Sequence, residues 1–245
     1  MPRAADVLAA FRRLPFADLD RITAGRPFLV LAPHPDDESL GCGGLIAEAG
    51  ARGATAHVAI LTDGTRSHPN SKSYPAPRLQ ALREAEARAA VAALGLPQDR
   101  LSFFGLQDAA APHAGANFDA AVSRLAELLA ARGIGTIFAP WRHDPHPDHV
   151  AAHLIAAAAA GRTGARHLSY PVWGWTLPDE QQLPEPDLRG HRLDIARHLD
   201  AKRRAIAAHA SQMGEVVRDD PTAFRLPQEL LANFDHPYEV FLEVQ

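Results

Sequence analysis

Residues 27–39 read PFLVLAPHPDDES, an apolar run closed by two prolines and a string of charged groups. A short apolar run bounded by turn residues suits a strand buried on both faces of a sheet. The pattern returns at Ala56 to Leu61, Leu101 to Phe104 and Ile134 to Ala139. Between these runs lie stretches with helical spacing: Gly44 to Ala51 before Gly53, Arg78 to Leu94 before Gly95 and Pro97, and Asn117 to Arg132 before Gly133. Each is stopped by a residue suited to a helix C-terminus. The alternation predicts an α/β fold with a mainly parallel sheet and helices on both faces. In such sheets ligands bind outside the carboxyl ends of the strands. The charged string at 34–38 falls there.

The chain of 245 residues with 47% apolar side chains is long enough for a continuous core. We expect one domain over 1–245, with a helical segment at about 1–26 and a C-terminal extension at about 165–245. That extension holds the Pro-rich stretch Tyr170 to Asp187, a helix from Leu193 to Gln212 and a final strand from Tyr238 to Val244. Asp63 to Pro77 is long enough for a functional loop. The net charge of -4 offers no footprint for nucleic acid. No apolar run has the length of a membrane span or a signal-peptide core, so a cytoplasmic protein is expected. Homo-oligomerisation stays open. The one cysteine, Cys42, excludes an internal disulfide and an all-cysteine zinc site. Neither Lys72 nor Lys202 follows a phosphate-cradling loop, and no G-x-S-x-G elbow is present.

Histidine is the unusual signal. Of the 13 histidines, His143, His146, His149 and His153 fall within one short segment. After the first strand, His34 offers an imidazole while Asp36, Asp37 and Glu38 offer carboxylates on a turn stiffened by prolines. After the strand at Ile134 to Ala139 comes WRHDPHPDH (residues 141–149), running into a helix with Pro147 at its first position. One imidazole from here, with His34 and Asp37, makes a three-ligand set that leaves a coordination position open, as catalytic zinc sites do. Asp36, left free beside such a centre, is placed for general-base hydrolysis. His146 is close enough to polarise a carbonyl or donate a proton. Zn²⁺ is expected, with Fe²⁺ or Co²⁺ compatible with the same donors.

APHPDDE (residues 32–38) with HPDH (residues 146–149) resembles the PIG-L or LmbE-like family of zinc-dependent N-deacetylases. The likeness continues through Thr62-Asp63-Gly64, Arg83-Glu84 and Ala208-His209-Ala210-Ser211-Gln212. The resemblance implies a Rossmann-like fold, His34, Asp37 and His149 as zinc ligands, Asp36 as general base, and His146 as oxyanion stabiliser or proton donor. It also implies an N-acetylglucosamine-type amino-sugar conjugate as substrate. Mycothiol-type members carry a tyrosine where this chain has Asp144, a departure that bears on the identity of the conjugate and not on the chemistry. Arg66, Asp144, Trp173 and Trp175 are the expected substrate contacts. Because Trp173 and Trp175 alternate with Val172 and Gly174, both can face one way and offer a flat surface to a sugar ring.

Blander readings compete. The DDE run could merely cap the next helix through Asp36 or Ser39. His149 and His153, four apart, could ligate without His34, although the glutamate of an H-E-x-x-H site is missing. Gly41-Cys42-Gly43-Gly44 after a strand invites a dinucleotide reading, but Ile46 stands where a third glycine belongs. An amidase acting on another N-acyl or S-conjugate, and a non-catalytic sugar-binding protein, are the alternatives to deacetylation.

Overall fold

Phe28–Ala32 forms strand β1, every residue of it buried. Because side chains alternate along a strand, Phe28, Val30 and Ala32 enter one apolar core and Leu29 and Leu31 the other. That two-sided burial is why the sequence shows a continuous apolar run. The computed structural model describes residues 1–184 and 188–244. After β1 come β2 (Ala56–Thr62), β3 (Leu101–Leu106), β4 (Thr136–Pro140), β5 (Arg166–Tyr170), β6 (Gly190–Asp194) and β7 (Tyr238–Glu243). They form one sheet in the order β3-β2-β1-β4-β5-β7-β6. The first five are parallel to one another, while β7 is antiparallel to both β5 and β6.

Helices α3 (Asp37–Arg52), α4 (Ala76–Ala93) and α7 (Leu199–Ala208) pack on one face, and α5 (Gly115–Ala131) with α6 (Pro147–Thr163) on the other. At the N-terminus α1 (Ala4–Phe11) and α2 (Leu19–Thr23) precede β1. The chain winds from β1 outward through β2 and β3, then crosses to β4 on the far side of β1. The loops leaving β1 and β4 therefore diverge at a topological switch point and open a crevice between them.

The structure corrects several boundaries. The helix expected from Gly44 begins at Asp37, because its glycines answer packing and do not break it. A Cβ on Gly41 would lie 2.2 Å from the Tyr170 ring, and one on Gly44 2.4 Å from Ile195. The glycines around Cys42 are thus explained by close helix-to-sheet approach, without a nucleotide. The helix expected over Leu193 to Gln212 shrinks to α7. Residues 190–194 pair with β7 instead, and at His209 the backbone leaves the helix with ψ at 53°. Trp173–Thr176 is a single 3-10 turn. Within the Pro-rich stretch, residues 185–187 lie outside the described residues.

Candidate active site and metal centre

The turn after β1 is clamped at its start, where the Thr62 amide and hydroxyl both donate to the Pro33 carbonyl at 2.9 Å. Asp37 opens α3 and folds its carboxylate back, so that Oδ2 accepts the His34 amide at 3.0 Å. Asp36, between them, has φ 144° and ψ -30°. A non-glycine residue held there costs about 1–3 kcal/mol and persists only where its surroundings dictate it. Its side chain makes no capping bond to α3, which sets aside the reading of the DDE run as a helix cap. Instead Arg83 donates Nη2 to the Pro35 carbonyl at 2.6 Å and to Asp36 Oδ2 at 3.1 Å. The Asp36 amide donates to Glu38 Oε2 at 3.0 Å.

From the β4 side, His146 caps α6 by accepting the Asp148 amide on Nδ1 at 3.2 Å. His149 projects from the first turn of α6, fully buried. Asp37 Oδ2 lies 3.2 Å from both His34 Nδ1 and His149 Nε2. His34, His146 and His149 present ring nitrogens within 4.8 Å of one another. Nitrogen and oxygen donors at about 2.0–2.2 Å from a shared tetrahedral ion stand about 3.3–3.6 Å apart, so the two approaches to Asp37 Oδ2 are close to what such an ion requires. Apart from its approach to Asp37, His149 Nε2 is buried with no hydrogen-bond partner, a condition that a ligand between the two would complete.

Both histidines have carboxylates behind them. His34 Nε2 lies 3.1 Å from Asp148 Oδ2 and 3.3 Å from Asp108 Oδ1. His149 Nδ1 lies 2.9 Å from Asp144 Oδ2. Such outer carboxylates fix the tautomer and ring orientation of metal-binding histidines. A second group of donors, His34 with Asp108 and Asp148, lies on that rear side. The two carboxylates there are already engaged by the amides of Arg66, Ala109 and Ala111.

The electrostatics favour a cation. Burial alone would pull His34 down, but Asp108, Asp148 and Asp37 drive it well above its ordinary value. Burial likewise opposes the charge on His149, yet Asp37 and Asp144 bring it to about 9. Burial would raise Asp37, but His149 and His34 hold it far below the usual carboxylate range. Asp36 differs from its neighbour: burial, only partly offset by Arg83, raises it to about 7. His146 drops to about 4 through burial and the charges of His34 and His149, so it is neutral at pH 7.

The front of this cluster borders a cavity of about 280 Å³, which His149 does not line. His34, Asp36, Asp37, Arg66 and His146 reach it, facing the apolar wall of Leu40, Trp173, Phe224 and Leu226. Two expected substrate contacts need correction. Asp144 is 1% exposed and turns away from the cavity, held by the amides of Val172, Trp173 and Gly174. Its place is behind His149. Trp175 leaves the cavity because the 3-10 turn rotates it from Trp173, and it packs edge-on against Phe11 at 5.7 Å. Trp173 stays on the wall beside Phe224. His153 does not join the centre; its Nδ1 faces the Pro140 carbonyl at 3.1 Å.

Sequence reasoning missed Asp108, and named Arg83 and Gln212 without giving either a role. Asp108 lies just beyond β3, where a strand-end rule would have found it. Gln212 follows α7 and lines the cavity, with Oε1 buried and unpartnered.

Residues 29–160 match the model of the family described as PIG-L, GlcNAc-PI de-N-acetylase. The chain belongs to the PIG-L family. Among PIG-L relatives, the 1D-myo-inositol 2-acetamido-2-deoxy-alpha-D-glucopyranoside deacetylase of Actinosynnema mirum is 30% identical over 233 residues, covering 78% of this chain and 82% of that protein. The enzyme of the same description from Rhodococcus jostii is 28% identical over 247 residues, covering 77% and 82%. A conserved protein of Thermus thermophilus superposes with a TM-score of 0.63 at 25% identity, covering 90% of this chain and 95% of that one.

The position of Asp144 leads to one expectation within this PIG-L site. Asp144→Asn weakens metal affinity by about 10–100-fold, the usual effect of losing an outer carboxylate. Competition with a chromophoric chelator measures it; unchanged affinity would leave Asp144 with a purely structural role.

Proposed function

We propose that this chain is a metal-dependent hydrolase that removes the N-acetyl group from an N-acetylglucosamine-type amino-sugar conjugate, releasing acetate and a free amine. Its place in the PIG-L family and the deacetylase relatives support the reaction class. The observation that carries the reading is the approach of His34 Nδ1 and His149 Nε2 to Asp37 Oδ2 at 3.2 Å, with His149 Nε2 otherwise unpartnered.

His34, Asp37 and His149 would hold the ion, Zn²⁺ in the first instance and Fe²⁺ or Co²⁺ as alternatives. When bound, a divalent ion here supplies Lewis acidity, lowering the pKa of water to about 7 and polarising the acyl oxygen. Asp36 lines the same cavity and takes a proton from the attacking water; a base near pH 7 is matched to that work. His146 is neutral, and its Nδ1 already accepts the Asp148 amide, so its ring proton sits on Nε2. That N–H donates to the oxyanion of the tetrahedral intermediate. As the C–N bond breaks, Asp36 returns the proton to the leaving nitrogen. One water is consumed, and acetate and amine depart.

Arg66, Trp173, Asp108 and Gln212 line the cavity where the sugar would lie. Gln212 Oε1, a buried free acceptor, suits a hydroxyl or amide N–H of the substrate. No helix among the described residues is long and apolar enough to cross a membrane, and we place the enzyme in the cytoplasm as one domain acting on a small molecule. Acetate and primary amine, measured together across N-acetylglucosamine conjugates and S-conjugates, test the reading. Equimolar acetate and amine is expected from the N-acetylated sugars; cleavage confined to S-conjugates would assign a different amide.

A further inference from the structure

Asp36 is held against its own backbone preference, and part of the grip comes from the far end of the chain. Its amide donates to Glu38 Oε2 at 3.0 Å. The other oxygen of Glu38 accepts the Ser39 hydroxyl at 2.7 Å and meets His209 Nε2 at 2.9 Å. Glu38, Ser39 and His209 are each 0% exposed, and none of them borders the cavity. A carboxylate and an imidazole buried this deeply are costly unless paired with each other and with further hydrogen bonds. Apolar packing would serve the core equally well. What this pair does that apolar groups could not is present a fixed acceptor to the Asp36 amide.

His209 sits where the backbone leaves α7, so α7 and the turn after it set where the ring stands. We propose that His209 is a positioning residue for Asp36: by fixing Glu38, it locks the backbone of the turn that aims the Asp36 carboxylate, and so couples the C-terminal segment to the catalytic rate. The proposal rests on the reading of Asp36 as general base. A misplacement of about 1 Å in a reacting group costs on the order of 10²-fold in rate, so loss of this lock should act on kcat.

The test compares His209→Leu with His209→Gln, whose amide nitrogen reaches roughly the place of Nε2. The substrate is an N-acetylated sugar conjugate that the wild type cleaves. For His209→Leu we expect kcat lower by about 10–100-fold, with KM, metal content and melting temperature close to wild type. His209→Gln should restore most of the rate. Wild-type kcat in His209→Leu overturns the proposal, as does a loss that follows metal content or that His209→Gln fails to repair. If His209→Leu does not fold, Glu38→Met, which removes the acceptor of the Asp36 amide, serves in its place, with the same fall in kcat at unchanged KM expected and a wild-type kcat overturning the proposal. Asp36→Asn in the same assay separates the two claims. Full activity there removes the general-base reading together with the proposal, whereas an inactive Asp36→Asn beside a fully active His209→Leu removes the proposal alone.

Discussion

Asp36→Asn should keep its metal and lose its turnover, with kcat falling by about 10²–10⁴-fold, the range for loss of a general acid–base group. Asparagine has the shape of aspartate and, like it, is among the non-glycine residues found most often at positive φ, which makes it the mildest replacement in the turn at φ 144°. What disappears is the ability to accept a proton from water. The wild-type pH profile carries the same information. Burial raises the Asp36 carboxyl to about 7, and below its pKa the group is protonated and cannot act as base. The acid limb of kcat/KM therefore lies at or below pH 7, since a nearby dication can only lower that value, and the limb vanishes in Asp36→Asn. Retained turnover with an unchanged acid limb would assign the base elsewhere.

His149→Ala produces the opposite pattern, with the metal lost first and the activity with it. Removing one of three protein ligands should weaken binding by more than the 10–100-fold typical of an outer partner, enough for metal to leave on dialysis. The site also links metal to protons. His149, at about 9, and His34, driven well above its ordinary value, are protonated in the metal-free protein at pH 7, whereas a histidine ligand must be neutral. Binding therefore expels protons, and affinity rises with pH through the titration of both histidines. Calorimetry in buffers of different ionisation enthalpy counts those protons. Metal content of dialysed His149→Ala equal to wild type, or uptake without proton release, would show that other donors hold the ion.

The legible parts of this molecule are those where one physical demand dominates. β1 and β2 are buried on both faces, and two-sided burial writes itself as an uninterrupted apolar run. The His34 turn and the segment from His146 to His149 were readable because strand ends at a switch point are where such chemistry sits, and because imidazole and carboxylate at close spacing have few other uses. β5 and β6 were not. They are no shorter than β1, but polar residues interrupt them, with His167 or Arg192 at half-buried positions, so no apolar run marks them. The glycines of α3 suggested a later helix start and a dinucleotide loop because their reason, the Tyr170 ring and Ile195, lies far along the chain. Asp144 illustrates a further limit. It stands beside the histidine motif and reads as a substrate contact, yet three amides from 172–174 turn it behind His149. Whether a polar group faces the cavity or the rear of a ligand is decided by such long-range contacts. His209 is the clearest case, since its partner Glu38 is distant in sequence and neither residue meets the cavity.

The most direct test of the central claim is a metal titration read by acetate release. Protein stripped with a chelator receives Zn²⁺ or Fe²⁺ in small steps, and acetate formed from an N-acetylglucosamine conjugate is followed at each step, with Asp37→Ala treated in parallel. We expect activity to rise from zero and break at one equivalent per chain, while Asp37→Ala stays flat. Acetate release by the stripped wild type, or by Asp37→Ala at the wild-type rate, would contradict a metal-dependent deacetylase built on His34, Asp37 and His149.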